Sequence, residues 1–307
     1  MLLPALTSII AVLGIIGSVV IGVVALPHDA RGLRRLIRGN GERRDFPDFY
    51  VVGHRGWPAR YPENTVESMI ASLEQGVFMS EFDVQITKDE QVIVMHDTSV
   101  DRTTPNKGPV SDYTLAQLER MDAGSWKSPL YSSYRVPSLK RMLEAFTTFP
   151  DWKSRYLMVD IKYDPERIIG AMAKMNIPRD VLSRLVISPW TEQGANYVRK
   201  VFGSVPVVGY INGSVDDDLL QRDNWEGQVL NLKKEPTKKK GREWAIRQRN
   251  EFGRQLMAWT ARSDRDAIED SEFAWDNCWN AVVGDWAPML VVKAEQMRFE
   301  GRSRNCK

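Results

Sequence analysis

Two histidines flank a pair of carboxylates in the first third of the chain. His54 stands in the segment GHRG at 53–56, His96 stands in MHD at 95–97, and Glu81 and Asp83 lie between them. In a strand Glu81 and Asp83 project from the same face, because successive side chains alternate. Two carboxylates placed together repel unless a cation joins them, and oxygen ligands favour Mg²⁺ or Ca²⁺. These residue types predict metal-dependent cleavage of a phosphodiester.

A second charged pair follows an apolar run in the segment LMVDIK at 157–162. Asp160 and Lys162 are two positions apart, so in a strand both lie on one face. If that face points into a barrel, an unpaired charge there is costly and implies a ligand or a partner. We expect Asp160 to complete the metal site and Lys162 to face the phosphate. The alternative is an internal salt bridge between layers of a barrel.

Phosphodiester cleavage needs a base for the nucleophile, an acid for the leaving oxygen and positive charge over the nonbridging oxygens. His54 and His96 supply the base and the acid. Arg55 and Lys162, together with the metal, supply the positive charge, and guanidinium geometry favours bidentate phosphate contacts. The third histidine, His28, lies near an apolar N-terminal segment and is interpreted as incidental.

Short apolar runs alternate with helical patterns from residue 48 onward, which is typical of strand and helix units around a parallel sheet. The polar motif residues recur at the ends of strands, which favours an α/β fold, the TIM (β/α)8 barrel, over an open sheet. The segment 97–138 is expected to overlie the mouth of the barrel. The predicted strands cover residues 49–52, 79–84, 91–95, 156–161, 185–188, 205–210, 228–232, 256–260 and 281–283, with 79–84 and 91–95 as a tight pair. The predicted helices cover residues 64–74, 115–121, 139–146, 165–175, 192–202, 242–252 and 264–269.

Residues 2–26 carry no charge, and their 25 positions are enough for a helix to cross a bilayer. We predict a single N-terminal transmembrane helix at 1–27, a basic juxtamembrane linker at 28–47 and a catalytic domain at 48–300. A cleaved signal peptide is the alternative. Six arginines follow the apolar segment, at 31, 34, 35, 38, 43 and 44. Under the positive-inside rule they predict a single-pass protein whose catalytic domain faces the cytosol, at the endoplasmic reticulum, a lipid droplet or the outer mitochondrial membrane.

The net charge of +2 gives no reason to expect a nucleic-acid partner. The basic run KKEPTKKK at 233–240 is interpreted as a solvated loop, with a lipid-facing patch as the alternative. The two cysteines, Cys278 and Cys306, are too few for a disulfide scaffold and fit a reducing compartment, although one bridge could form.

A family resemblance is carried by short segments spread over residues 48–292. These segments are HRG at 54–56, YPENT at 61–65, EFDV at 81–84, TKD at 87–89, HD at 96–97, RTT at 102–104, VPSL at 136–139, VDIK at 159–162, AWT at 258–260 and VGD at 283–285. In order and spacing they resemble the glycerophosphodiester phosphodiesterase family. The resemblance implies a TIM barrel, one divalent cation (Mg²⁺ or Ca²⁺) and hydrolysis of a glycerol-linked phosphodiester.

The resemblance also implies roles for individual residues. It assigns the acid and base to His54 and His96, the metal to Glu81, Asp83 and Asp160, and the phosphate to Arg55 and Lys162. Trp259 is expected to stack on the substrate at the rim, with core packing as the alternative. Glu63 is expected to brace the loop after His54. Asp160 departs from the family pattern, which more commonly has glutamate, so its shorter side chain changes the cation preferred or leaves a water in its place.

Within the family, the segments at 53–65 and 158–162 resemble the fungal phosphatidylglycerol-specific phospholipase C branch. That resemblance implies a membrane-bound enzyme that cuts phosphatidylglycerol, or a related glycerophospholipid, to diacylglycerol and glycerol 3-phosphate. The alternative is a phosphodiesterase that releases glycerol 3-phosphate and an alcohol from soluble glycerophosphodiesters. A secreted phospholipase D of the spider-venom type and an inactive lipid-binding barrel are further alternatives. The intact charged cluster counts against the inactive barrel.

Overall fold

The structure, a computed structural model, describes residues 46–211, 227–231, 242–252, 254–302 and 306. The described residues from Phe46 onward belong to one compact unit. Its strands are Tyr50–Gly53 (β1), Met79–Ile86 (β2), Val92–Val94 (β3), Tyr156–Ile161 (β4), Leu185–Pro189 (β5), Val208–Ile211 (β6), Gly227–Asn231 (β7), Gln255–Ala261 (β8) and Ala281–Gly284 (β9). Its helices are Val66–Glu74 (α1), Leu115–Leu118 (α2), Leu139–Thr148 (α3), Pro165–Lys174 (α4), Arg179–Leu182 (α5), Glu192–Phe202 (α6), Arg242–Phe252 (α7), Asp264–Asp276 (α8) and Ala287–Phe299 (α9).

The strands form one sheet in the order β5-β4-β2-β1-β9-β8-β7-β6, in which all neighbours are parallel. A parallel bridge between Ile187 and Val207 joins the two ends of this order. The result is an α/β TIM-barrel-like fold, as the sequence predicted. The short strand β3 pairs antiparallel with β2 outside the ring, which confirms the predicted tight pair.

Two hydrophobic clusters show which strand residues face inward. Val51 and Ile187 pack with residues of the surrounding helices in the larger cluster. Val52 and Val186 pack with residues of other strands in a second cluster, which fills the inside of the barrel. Strands buried on both faces are apolar at successive positions, which explains the continuous apolar runs in the sequence.

Local sequence signals account for several helix starts. Thr65, Ser138, Thr191 and Ser263 precede helices α1, α3, α6 and α8, and each side chain accepts a hydrogen bond from the backbone of the first turn. Such capping satisfies one of the backbone N–H groups that a helix start leaves unpaired. The sequence analysis missed α5 and α9. Helix α9 leaves Met289, Val292 and Phe299 exposed, so its apolar residues do not follow a single stripe.

The prediction of a single-pass membrane protein is corrected. Within the described ranges no helix has both the length and the apolarity needed to cross a bilayer. The longest described helices, α8 and α9, have 13 residues each, whereas a span needs about 20. The predicted span at 1–27, His28, the arginines at 31–44 and the basic run at 233–240 lie outside the described residues.

The two cysteines form a disulfide between Cys278 and Cys306. Of the two outcomes that the sequence left open, the bridge is therefore the one found. Cys278 lies in the turn before β9 and Cys306 lies beyond α9. The bridge closes a loop that contains both of these elements, which constrains the unfolded chain.

Candidate active site

The predicted site residues gather at one end of the parallel strands. His54 directly follows β1, Glu81 and Asp83 lie on β2, and Asp160 lies on β4 opposite Asp83 in the sheet register. His96 follows the short strand β3. In barrel enzymes the C-terminal ends of parallel strands carry the chemistry, and these residues lie at that end.

Three carboxylates meet inside this end of the barrel. One oxygen each of Glu81, Asp83 and Asp160 lies within 4.8 Å of the others, and all three residues are buried. Burial, together with the charges of Asp83 and Asp160, raises the pKa of Glu81 well above its ordinary value. Burial likewise raises the pKa of Asp160 to about 6. Converging hard oxygen ligands whose negative charges are costly to keep together fit a divalent cation.

Lys162 lies against two of these carboxylates. Its Nζ atom contacts Asp83 Oδ1 and donates to Asp160 Oδ2 at 2.6 Å. Burial opposes ionisation of Asp83, but Lys162 and Arg55 outweigh it and lower the pKa of Asp83. The ion pair that the sequence analysis kept as its alternative for Asp160 and Lys162 is therefore present.

Asn64 fixes the orientation of Asp83. Its Nδ2 donates to Asp83 Oδ2 at 2.9 Å, and its Oδ1 accepts from the Asp83 backbone N–H at 3.1 Å. Asn64 adopts a left-handed backbone conformation (φ 59°), which asparagine tolerates better than most residues. The paired contacts hold one carboxylate of the cluster in a single orientation.

The loop after β1 turns sharply so that Arg55 reaches the same cluster. Arg55 has φ 51°, its backbone N–H donates to Glu81 Oε2 at 2.8 Å, and its Nε lies 3.2 Å from Asp83 Oδ2. Gly56 follows with φ 86°, and a Cβ there would lie 2.5 Å from the Ser68 backbone. Only glycine fits this close turn.

Glu63 links Arg55 to a second arginine. Its Oε1 accepts from Arg55 at 2.7 Å and from Arg102 at 2.8 Å. Burial opposes ionisation of Glu63, but the two arginines outweigh it and lower its pKa. These contacts agree with the bracing role expected for Glu63.

His54 and His96 each contact an aspartate through Nδ1. His54 Nδ1 lies 2.6 Å from Asp285 Oδ1, and His96 Nδ1 lies 2.6 Å from Asp97 Oδ1. A carboxylate at Nδ1 favours the neutral tautomer with its proton on Nδ1. Nε2 then carries no proton and can accept one. Burial lowers the pKa of His54, although the hydrogen bond to Asp285 acts in the opposite direction.

Arg102 holds the second aspartate. Its Nε donates to Asp97 Oδ2 at 2.6 Å while its terminal nitrogens bind Glu63. Arg102 lies in the segment 97–138, so this segment contributes directly to the orientation of His96. The same segment brings Lys127 to the rim, where its Nζ donates to the Pro58 carbonyl oxygen at 2.5 Å.

Two tryptophans border the site. The ring of Trp259 meets the imidazole of His54 edge-on, with centroids 6.2 Å apart, and Trp259 also packs against the cluster inside the barrel. Its predicted contact with the substrate stays a prediction beside the core-packing alternative. The peptide bond that follows Trp259 is cis. Trp190, directly after β5, donates from Nε1 to Asp160 Oδ1 at 2.6 Å, and its ring centroid lies 5.5 Å from Lys162 Nζ.

Sequence reasoning missed part of this arrangement. Asp97, Arg102 and Asp285 stood within recognised segments but received no role, and Trp190 and Lys127 carried no local signal. The aspartate at the strand end in VGD, at 283–285, is the sequence feature from which a role for Asp285 could have been predicted. Nothing near Trp190 in the sequence reveals its contact with Asp160, because that contact depends on the pairing of β4 with β5.

Comparison with known proteins places the chain among phosphodiesterases. The sequence model of the glycerophosphoryl diester phosphodiesterase family matches residues 54–280. A glycerophosphodiester phosphodiesterase of Caldanaerobacter subterraneus is 32% identical over 158 residues, which are 49% of this chain and 62% of that protein. One from Bacillus subtilis is 40% identical over 104 residues, which are 31% of this chain and 36% of that protein. The matched segments therefore span less than two thirds of these relatives.

Solved structures share the fold. An Oleispira antarctica phosphodiesterase, whose structure holds the product sn-glycerol-3-phosphate, matches with a TM-score of 0.66 and 21% identity over 80% of this chain and 96% of that one. A glycerophosphodiester phosphodiesterase from Agrobacterium tumefaciens matches with a TM-score of 0.64 and 19% identity over 80% and 99% of the two chains.

Proposed function

Because the chain belongs to the glycerophosphoryl diester phosphodiesterase family, we propose that it hydrolyses glycerophosphodiesters to glycerol 3-phosphate and an alcohol with the help of a divalent cation. One observation carries this proposal. Two histidine and aspartate pairs, Arg55, Lys162 and a cluster of three carboxylates converge at the same end of the barrel.

The relatives favour a soluble glycerophosphodiester over a membrane phospholipid as the substrate. Those described above are named glycerophosphodiester phosphodiesterases, and the Oleispira structure holds sn-glycerol-3-phosphate. None of the relatives described above is named a phosphatidylglycerol-specific phospholipase C, so they do not support the predicted fungal branch. A soluble glycerophosphodiester is therefore the proposed substrate.

The limits predicted for the catalytic domain, residues 48–300, stay a prediction.

Glu81, Asp83 and Asp160 would hold the cation, either Mg²⁺ or Ca²⁺, with Asp160 acting through a bound water. When bound, the cation would neutralise charge on the nonbridging phosphate oxygens. Arg55 and Lys162 lie beside the same carboxylates, and their positive charges would also bind the negatively charged phosphate oxygens. Trp259 would contact the part of the substrate that projects from the mouth.

The two histidines divide the proton transfers. A buried imidazole with a lowered pKa is neutral near pH 7, so His54 is suited to accept the proton of the attacking hydroxyl or water. Asp285 would keep the His54 proton on Nδ1, so that Nε2 accepts. His96, whose side chain is 28% exposed compared with 7% for His54, would then donate a proton to the leaving alcohol oxygen.

Product analysis tests the proposal. Glycerophosphocholine and, in parallel, phosphatidylglycerol vesicles are incubated with the purified protein in Mg²⁺, Ca²⁺ or chelator. Phosphorylated products are followed by ³¹P NMR, and diacylglycerol is followed by thin-layer chromatography of the lipid extract. We expect glycerol 3-phosphate from the soluble diester, only with metal and only with His54 intact. The variant His54→Ala should be inactive, whereas the surface variant Lys140→Ala on α3 should match the wild type. Diacylglycerol from the vesicles without turnover of the soluble diester would replace the proposal with the phospholipase C reading.

A further inference from the structure

Ser188 lies next to the carboxylate cluster, and its hydroxyl makes no hydrogen bond within the described part of the chain. Ser188 on β5 pairs directly with Asp160 on β4 in the parallel register, so the two residues lie side by side in the sheet. The residue is completely buried. Among the described residues, Ser188 Oγ has no hydrogen-bond partner.

The direction of the hydroxyl follows from the alternation of strand residues. Val186 packs in the cluster inside the barrel, whereas Ile187 packs in the outer cluster against the helices. Ser188 shares the face of Val186, because side chains two positions apart point the same way. Its hydroxyl therefore faces the inside of the barrel on the same side as Asp160.

A buried hydroxyl without a partner is unusual and costly. Leaving one unsatisfied costs about 1–3 kcal/mol, and most buried polar groups are hydrogen-bonded. Other fully buried serines follow this rule: Ser72 Oγ donates to the Met69 carbonyl oxygen at 2.7 Å, and Ser271 Oγ donates to the Ala267 carbonyl oxygen at 2.6 Å. Within the described ranges the buried hydroxyls of Tyr50 and Thr260 also lack a partner, so the missing hydrogen bond alone does not identify a ligand. The place of Ser188 beside Asp160 is what points to a partner that is not a protein group.

The contacts of Asp160 indicate what that partner is. Its Oδ1 accepts from Trp190 and its Oδ2 accepts from Lys162, so each oxygen already has a donor. An aspartate held this way on a short side chain has little freedom to advance toward a cation. Mg²⁺ dehydrates reluctantly and usually keeps several waters, and a hydroxyl can both donate to and accept from a water.

We propose that Ser188 Oγ holds a water of the cation's hydration shell, at the place that the short Asp160 side chain does not reach. This inference rests on the cation site of the proposed function. Ser188 is then a positioning residue for the metal rather than a group that touches the substrate. Residues that orient the ligands of a metal commonly change its affinity by about 10- to 100-fold when they are replaced.

Calorimetric titration with Mn²⁺ in the absence of substrate tests the role of the hydroxyl. We expect Ser188→Ala to weaken Mn²⁺ binding by about 10-fold. Ser271→Ala, a control that also removes a fully buried serine hydroxyl, should leave the Kd unchanged. Equal Kd values for wild type and Ser188→Ala would overturn the inference, even if the KM for the diester increased.

A double-mutant cycle tests the link to the length of Asp160. In Asp160→Glu the longer side chain should reach the cation and displace the water, so that adding Ser188→Ala then has no further effect on the Kd for Mn²⁺. The same 10-fold loss in both backgrounds would show that Ser188 acts independently of Asp160, which contradicts the proposal.

Thermal unfolding in chelator provides a second readout. Because no protein hydrogen bond is lost, Ser188→Ala should melt at or above the wild-type temperature in EDTA. When Mn²⁺ is added, the melting temperature of Ser188→Ala should increase less than that of the wild type. A lower melting temperature in EDTA would reveal a protein partner for the hydroxyl and would refute the inference. A wild-type protein that binds no Mn²⁺ would instead remove the cation from the proposed function itself.

Discussion

His54 and Asp285 are separated by 231 positions in the sequence, yet His54 Nδ1 lies 2.6 Å from Asp285 Oδ1. The contact exists because β1 pairs with β9, the first and last strands of the barrel. The backbone fixes both partners: the His54 N–H donates to the Gly284 carbonyl oxygen at 3.0 Å, and the Asp285 N–H donates to the Ala261 carbonyl oxygen at 2.9 Å. The aspartate thus holds the imidazole from a rigid strand end.

Replacing Asp285 should impair the chemical step. In Asp285→Asn the amide no longer fixes the proton on His54 Nδ1, so we expect kcat to fall by about 100-fold with little change in KM. Steady-state kinetics on glycerophosphocholine measure both parameters. Asp276→Asn, at the exposed end of α8, is the matched control and should be unaffected. A wild-type kcat in Asp285→Asn would exclude the positioning role.

The pH profile should report the ionisation of His54. Because burial lowers its pKa and the base must be neutral, the acidic limb of kcat/KM should lie below 6.5, the ordinary histidine value. The hydrogen bond and the charge of Asp285 both raise this pKa. The residual activity of Asp285→Asn should therefore show a limb displaced further toward acid. A limb above 6.5, or a displacement toward alkali, would contradict the assignment of His54 as the base.

Cation binding should stabilise the fold as well as support turnover. The three carboxylates come together only in the folded protein, so Mg²⁺ should bind the folded state alone. At 100 times its Kd it should then add about 2.7 kcal/mol to the free energy of unfolding. The variant with both Glu81→Gln and Asp83→Asn should lose this gain, whereas Glu269→Gln on the surface of α8 should keep it. Thermal melts with and without Mg²⁺ provide the comparison. A cation-dependent gain that survives in the double variant would place the cation elsewhere.

Arg102 should matter more for activity than for stability. Its side chain is 42% exposed, and exposed ion pairs contribute little to folding. In Arg102→Gln, however, Asp97 loses the donor that orients it, so we expect kcat/KM to fall by about 10-fold with an almost unchanged melting temperature. Arg265→Gln removes a comparable exposed pair with Glu269 on α8 and should change neither quantity. A large fall in melting temperature with unaltered kinetics would reverse this interpretation.

Gly284 should tolerate no side chain. A Cβ there would lie 2.7 Å from the Ala261 carbonyl oxygen, so Gly284→Ala must shift the strand end that carries Asp285. We expect it to lower both the free energy of unfolding, by about 1–3 kcal/mol, and kcat. Gly170→Ala on α4 meets only the Tyr197 hydroxyl, at 3.8 Å, and should raise stability by up to about 1 kcal/mol. Urea unfolding measures the free energy of unfolding of both variants. Equal changes in Gly284→Ala and Gly170→Ala would contradict the prediction.

The sequence was sufficient where the determinants are local. Each of the nine predicted strands overlaps an observed one, although the ends differ by up to three residues, because buried strands require apolar runs whatever surrounds them. Glu81 and Asp83 were paired correctly because strand geometry alone places them on one face. The predicted membrane span at residues 1–27 lies outside the described residues, and none of the described helices is long and apolar enough to cross a bilayer.

The tertiary structure decided every relationship that depends on strand order. Asp285 reaches His54 because β9 lies beside β1. Trp190 reaches Asp160, and Ser188 lies next to Asp160, because β5 lies beside β4. Residue types and spacing within one segment determined which side chains bear charge and which way they point. Only the pairing of strands distant in sequence determined which charges meet, because that pairing results from packing of the whole barrel and not from any single segment.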